Sequence, residues 1–257
     1  MAAPVLELRN LGKSYGAVRA VEGLDLSIAP GEVVGLVGEN GAGKSTVVNM
    51  VSGMTRPSTG LIRLRGEAVH LASARDARAN GVGVVHQHYA LVPSFTVAES
   101  FALGEEPAGP INRARLSARV RELADEVGMV IAPDARIGSL DVAGQQRVEI
   151  LRALSRKIDL LILDEPTAVL TAEDAAKLFA VIERLRLRGV AVLLITHKLA
   201  DVARICDRAA VMHAGRLVAD RPVSQCTPEM IVSLMISGRE NDAAIAQMAS
   251  ALSDDFP

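Results

Sequence analysis

The chain has 257 residues, 49% of them hydrophobic, and a formal charge of −2. This size suits one compact domain, with room for an inserted subdomain, and the near-neutral charge excludes a general attraction to DNA, RNA or anionic lipid. The longest apolar run, Val190 to Ile195, is far too short to span a bilayer.

In chain order, Val5 to Leu8 and Leu24 to Ile28 alternate as half-buried strands do. Pro30-Gly31 is a turn that leads into an apolar strand, Val33 to Val37. A helix is predicted from Ser45 to Ser52, ended by Gly53 and Pro57. Short strands are predicted at Leu61 to Leu64 and Val69 to Leu71. Ser73 to Asn80 reads as a helix with Gly81 as its stop, and Gly83 to His86 as a further strand. From His88 to Lys157 the character changes. Charged helical spacing runs from Arg113 to Val127, and a second helix is predicted from Val142 to Ser155, so this stretch reads as a helical insertion. Strands and helices then alternate: Asp159 to Leu163, Ala172 to Arg188, Val190 to Thr196, Leu199 to Cys206. That alternation implies an α/β protein with a mostly parallel sheet covered on both faces.

Three further features narrow the class. Met1 to Glu7 lacks a basic segment followed by an apolar core, so no secretory signal is expected. Cys206 and Cys226 have no metal-ligand spacing and are expected to be packing residues of a reducing compartment. Four Phe, two Tyr and no Trp leave little for a base-stacking platform.

The sharpest motif is Gly38-Glu39-Asn40-Gly41-Ala42-Gly43-Lys44-Ser45-Thr46, a complete phosphate-binding loop between a predicted strand and a predicted helix. Its glycines let backbone N–H groups turn toward phosphate oxygens, and the helix N-terminus adds partial positive charge. Lys44 is suited to the β- and γ-phosphates of a nucleoside triphosphate, and the Ser45 hydroxyl to Mg²⁺. Downstream, Leu160 to Leu163 ends in Asp164-Glu165. Successive strand residues point opposite ways, so Asp164 can serve the Mg²⁺ shell while Glu165 faces the γ-phosphate and an attacking water. A plain helix-capping role is the alternative for this pair. His197 closes another apolar strand and can hydrogen-bond a γ-phosphate oxygen. Gln87 follows a strand and can contact metal or water, and Tyr15 can stack on an adenine ring.

Together these residues resemble the ATP-binding cassette of ABC transporters, from about Val5 to Glu240, in the order P-loop, glutamine loop, signature segment, Asp-Glu strand, histidine. The resemblance implies a P-loop NTPase (RecA-like) core over 1–87 and 158–240. An antiparallel β subdomain, a helical subdomain over 88–157 and a tail over 241–257 complete it. It implies nucleotide contacts from Tyr15, Gly38, Asn40, Gly41, Gly43, Lys44, Ser45, Thr46 and Asp164, and Mg²⁺ ligands among Ser45, Gln87 and Asp164. Glu165, His197 and Gln87 take the catalytic roles. His86 to Val92, Phe95 to Ser100, Leu103-Gly104-Glu105, Gln145 to Ile150, Asp164 to Thr171 and Met235 to Glu240 are similar to the amino-terminal cassette of sugar and nucleoside importers, with a lean to the nucleoside branch. The implied partners are an integral-membrane permease, docked near Gln87 to Glu99, and a second cassette. No nucleic acid is implied, and the implied location is the cytoplasmic face of the membrane. The rival readings are a soluble ABC ATPase acting on DNA or ribosomes, and a non-catalytic nucleotide-binding regulator.

One segment departs from the family pattern. Where the signature reads Leu-Ser-Gly-Gly-Gln, or Leu-Ser-Val-Gly in this branch, the chain has Leu140-Asp141-Val142-Ala143-Gly144. Asp141 remains a competent N-cap. Its charge would meet a polyanion, and two unit charges ~4 Å apart repel by about 4 kcal/mol at an effective dielectric near 20. The chain is therefore expected to be a good ATP acceptor and a poor signature donor; the alternative is that Asp141 points away and costs little.

Overall fold

A computed structural model describes residues 3–87, 90–103 and 112–239. His88, Tyr89, Gly104, Glu105, Glu240 and the 241–257 tail, all used in the sequence reading, lie outside the described residues.

The chain opens with two long antiparallel strands, β1 (Leu6–Tyr15) and β2 (Val18–Ile28), followed by β3 (Val33–Gly38) and helix α1 (Lys44–Val51). Next come β4 (Thr59–Leu64), β5 (Glu67–Val69), α2 (Ala74–Ala79) and β6 (Val82–Val85). Among the described residues, helices α3 (Val97–Phe101), α4 (Arg113–Val127) and α5 (Val142–Ala153) then intervene. The α/β alternation resumes with β7 (Leu160–Asp164), α6 (Ala172–Leu187), β8 (Ala191–Ile195) and α7 (Leu199–Ile205). It ends with β9 (Arg208–His213), β10 (Arg216–Pro222) and α8 (Pro228–Ser237).

Two sheets result. One is antiparallel, in the order β2-β1-β4-β5, and the other has six strands, in the order β10-β9-β3-β8-β7-β6. Strands β9, β3, β8, β7 and β6 run parallel, and β10 returns antiparallel at one edge. The central strands are apolar at nearly every position because both their faces are covered. The two-residue period divides them cleanly. Val33, Val37, Leu161, Leu163, Val192 and Leu194 pack in a core shared with α4 to α8. Val34, Leu36, Ile162, Leu193 and Ile195 face the core under β1, β2, β4 and α1. Val47, Val48, Met50 and Val51 are buried along α1, at roughly 2 kcal/mol for each such side chain. That burial seats α1 against the sheet and fixes the loop before it.

Several elements differ from the sequence expectation. β5 sits at Glu67–Val69 rather than Val69 to Leu71, because Glu67, Ala68 and Val69 pair with Leu64, Arg63 and Ile62 across a tight turn. β1 and β2 run well beyond the short predicted segments, with register shifts along their pairing that break the alternation. α3, β9, β10 and α8 have no predicted counterpart. α3 is a five-residue helix closed by a full capping box between Thr96 and Glu99. No disulfide joins Cys206 and Cys226. Burial pushes the Cys206 thiol up to about 12, so it is an inert packing group at neutral pH. No helix among the described residues is long and apolar enough to cross a membrane.

Candidate active site

Parallel strands bring their C-terminal ends to one edge of the sheet, and ligands bind there. The register makes this concrete. Leu36 of β3 pairs with Ile195 of β8, Ile195 pairs with Asp164 of β7, and Leu163 pairs with Val85 of β6. The segments that follow these positions are the glycine loop, Asp164-Glu165, Thr196-His197 and His86-Gln87. Segments far apart in sequence thus open onto one place.

That place is a cleft of about 320 Å³ lined by Ala20, Asn40, Gly41, Gly43, Lys44, Ser45, Thr46, Gln87, Asp164, Glu165 and His197. Two predicted site residues stand outside the lining. Gly38 lies beneath the loop, and its carbonyl accepts from Lys44 Nζ at 2.6 Å. Tyr15, at the far end of β1, is half exposed with Lys13 Nζ 5.1 Å from its ring centroid. Ala20 is a wall that motif reasoning missed, since no chemistry marks it in the sequence.

The loop needs glycine at two points. Gly43 has φ +103, and a Cβ there would lie 2.4 Å from the Ala20 carbonyl oxygen. At Gly38 a Cβ would lie 2.5 Å from Met212 O. Gly43 is also the N-cap of α1 and offers no side-chain acceptor, so the first N–H groups of the helix remain open to an anion. Lys44 is buried, and its Nζ donates to the Gly38 and Glu39 carbonyls at 2.6 and 2.9 Å. Burial lowers its pKa, against the opposing influence of the Glu165 and Asp164 carboxylates. Backbone cradle and cation together suit a polyphosphate.

The carboxylate side is equally specific. Burial, and then the neighbouring Glu165 charge, raise the Asp164 pKa, while His86 and Lys44 act the other way. Glu165 adopts φ +50, and its Oε1 lies 2.9 Å from His197 Nδ1. Its Oε2 is buried with no hydrogen-bond partner. An unpartnered carboxylate oxygen beside a strained backbone is the mark of a functional site. The hydroxyl, amide and carboxylate oxygens of Ser45, Gln87 and Asp164 are the hard donors that Mg²⁺ takes.

Asp141 does not line this cleft. It caps α5 by accepting from Gly144 N–H at 2.7 Å, its side chain is 76% exposed, and Arg147 lies 3.9 Å away.

The family model described as ABC transporter matches residues 21–168. The ribose import ATP-binding protein RbsA 3 of Rubrobacter xylanophilus is 44% identical over 239 residues, 92% of this chain and 48% of that protein. The guanosine import ATP-binding protein NupO of Bacillus subtilis is 42% identical over 92% of this chain and 46% of its own length. The chain thus spans about half the length of these curated relatives. Among solved structures, an ATP-binding cassette of an ABC transporter in its ADP conformation superposes with a TM-score of 0.79 at 22% identity, covering 95% of this chain and 98% of that one. That likeness gives the fold, a P-loop NTPase core. The match to the family model and the cleft at the end of its parallel strands make this chain a member of the ABC transporter family.

Proposed function

We propose that this chain is the ATP-binding and ATP-hydrolysing cassette of an ABC importer for a sugar or nucleoside. The observation that carries this is the convergence of Lys44, Ser45, Gln87, Asp164, Glu165 and His197 on one cleft. The open N–H groups of the loop and α1, with Lys44, hold the β- and γ-phosphates. In doing so Lys44 exchanges the Gly38 and Glu39 carbonyls for phosphate oxygens. Ser45, Gln87 and Asp164 would hold Mg²⁺, which neutralises phosphate charge when bound. Glu165 orients a water at the γ-phosphate and takes its proton on the carboxylate. His197, already within hydrogen-bond distance of Glu165, is placed to bind a γ-phosphate oxygen and to release it with the product.

The sugar or nucleoside class rests on the named relatives. The same family membership supports a membrane permease and a second cassette as partners, and a place for the chain at the cytoplasmic face of the membrane. The exposed Asp141 carboxylate supports a weakened signature, so this chain would supply the ATP site and another cassette the signature that closes it. The test is Glu165→Gln, with ATP binding and turnover measured side by side. The amide cannot accept the water's proton, so binding should persist while turnover falls by at least about 100-fold. Wild-type turnover would remove Glu165 from this role. Copurification with an integral-membrane protein separates the importer from a soluble ATPase or regulator.

A further inference from the structure

The three residues that begin at Glu165 are gripped from several directions. Glu165 sits in the left-handed region at φ +50, a conformation that persists only where its surroundings enforce it. Its N–H donates to Ile195 O of β8 at 2.9 Å. Pro166 has no N–H to anchor it, so its carbonyl is the remaining backbone handle. That carbonyl accepts from Gln146 Nε2 of α5 at 2.6 Å, and Gln146 is 2% exposed. Thr167, also 2% exposed, is held at two points. Its carbonyl accepts from Lys198 Nζ at 2.6 Å, and its hydroxyl donates to the Asp201 carboxylate of α7. Lys198 follows His197 directly, and its own N–H donates to Thr196 Oγ1 at 3.0 Å. Neither Gln146 nor Lys198 lines the cleft.

We propose that Gln146 and Lys198 are positioning residues that hold the Pro166-Thr167 joint, and through it the strained backbone of Glu165, in the geometry that hydrolysis needs. This rests on the reading of Glu165 as the water-activating carboxylate. α5 grips the joint less than two turns after the signature end at Asp141, so displacement of α5 moves the Pro166 carbonyl and the Glu165 side chain with it. Lys198 ties the same joint to the segment that carries His197, which keeps the two catalytic side chains in register. Both residues act on one joint, so their effects on catalysis are coupled.

The test is ATP turnover of the assembled transporter carrying Gln146→Met, Lys198→Met, the double variant, Lys198→Arg and, in parallel, Glu165→Gln. Each Met variant should lower kcat about tenfold while leaving ATP affinity within about twofold, since the phosphate-binding loop is untouched. The double variant should fall about as far as a single one. Lys198→Arg, which keeps a charged donor, should retain most of kcat. The partly exposed Lys198 keeps the test informative if Gln146→Met folds poorly. Wild-type kcat in the Lys198→Met variant, losses that multiply in the double variant, or Lys198→Arg as impaired as Lys198→Met would overturn the proposal. If Glu165→Gln is inactive in that event, only the positioning role fails. If Glu165→Gln turns over normally, the catalytic reading itself fails.

Discussion

At Lys44 two opposing influences meet in one side chain. Burial lowers its pKa, and the Glu165 and Asp164 carboxylates counter that. Its resting hydrogen bonds go to carbonyls of its own loop, so removal leaves no strong partner uncompensated elsewhere. Lys44→Ala should therefore fold while ATP affinity falls about 100-fold, the worth of roughly 3 kcal/mol for charged hydrogen bonds to phosphate. Titration calorimetry against ATP would check this, and undiminished affinity would refute the loop assignment. Asp141 poses the converse case. Its capping bond to Gly144 and a 3.9 Å pair with Arg147 leave the carboxylate 76% exposed, and such surface pairs contribute little. The charge is therefore still present to repel phosphate. Asp141→Asn, which keeps the cap, should raise ATP turnover several-fold if charge alone is at fault. A gain from Asp141→Ser only would identify the missing hydroxyl. No gain from either would place the carboxylate away from phosphate.

On the scale of elements, the site depends on how α1 begins. Gly43 combines φ +103 with a Cβ position 2.4 Å from Ala20 O on β2, so Gly43→Ala must strain the loop or push β2 away. A loss of about 2 kcal/mol is expected, or roughly 4–8 °C in Tm for a chain of this size. Calorimetry measures it directly. The β9–β10 hairpin gives a pH-dependent prediction. Arg208 pairs with both Asp220, at 3.0 Å, and Glu32, at 3.3 Å. Burial raises the Asp220 pKa, Arg208 opposes the rise and Glu32 adds to it. A carboxyl with a raised folded-state pKa contributes stability below its ordinary value near 3.9, and that contribution is lost as pH rises through the raised value. Ionised Asp220 thus costs stability at neutral pH. Asp220→Asn should raise Tm by about 2 °C at pH 7, with the gain vanishing below about pH 4. A gain that grows on acidification would contradict this sign.

For the whole molecule, the relevant fact is that its relatives are about twice its length. Asp141 lies outside the cleft of its own chain. In the proposed importer, a second cassette brings a signature to this P-loop. With saturating ATP the isolated chain should remain largely monomeric in light scattering. It should pair when mixed with a cassette whose signature carries serine. Equal self-association would show that Asp141 does not govern pairing.

The sequence alone determined what is contiguous. The loop from Gly38 to Thr46 carries its glycines, its lysine and its hydroxyls within nine residues, so its chemistry is legible without tertiary information. Apolar runs ending in Asp164-Glu165 and in His197 were legible for the same reason, since a strand buried on both faces needs an unbroken apolar stretch. What lay beyond the sequence depended on register and on long-range partners. No residue of β10 is fully buried and its exposure does not alternate cleanly, so the hairpin with β9 left no periodic signal. Ala20 became a wall of the cleft through the path of β2 over the loop, and nothing in an alanine announces that. The left-handed backbone of Glu165 and its support by Gln146 and Lys198 arise from α5, β8 and α7 converging on one joint. Covalent spacing decides which groups a segment carries; packing of distant segments decides which way those groups point and what holds them there.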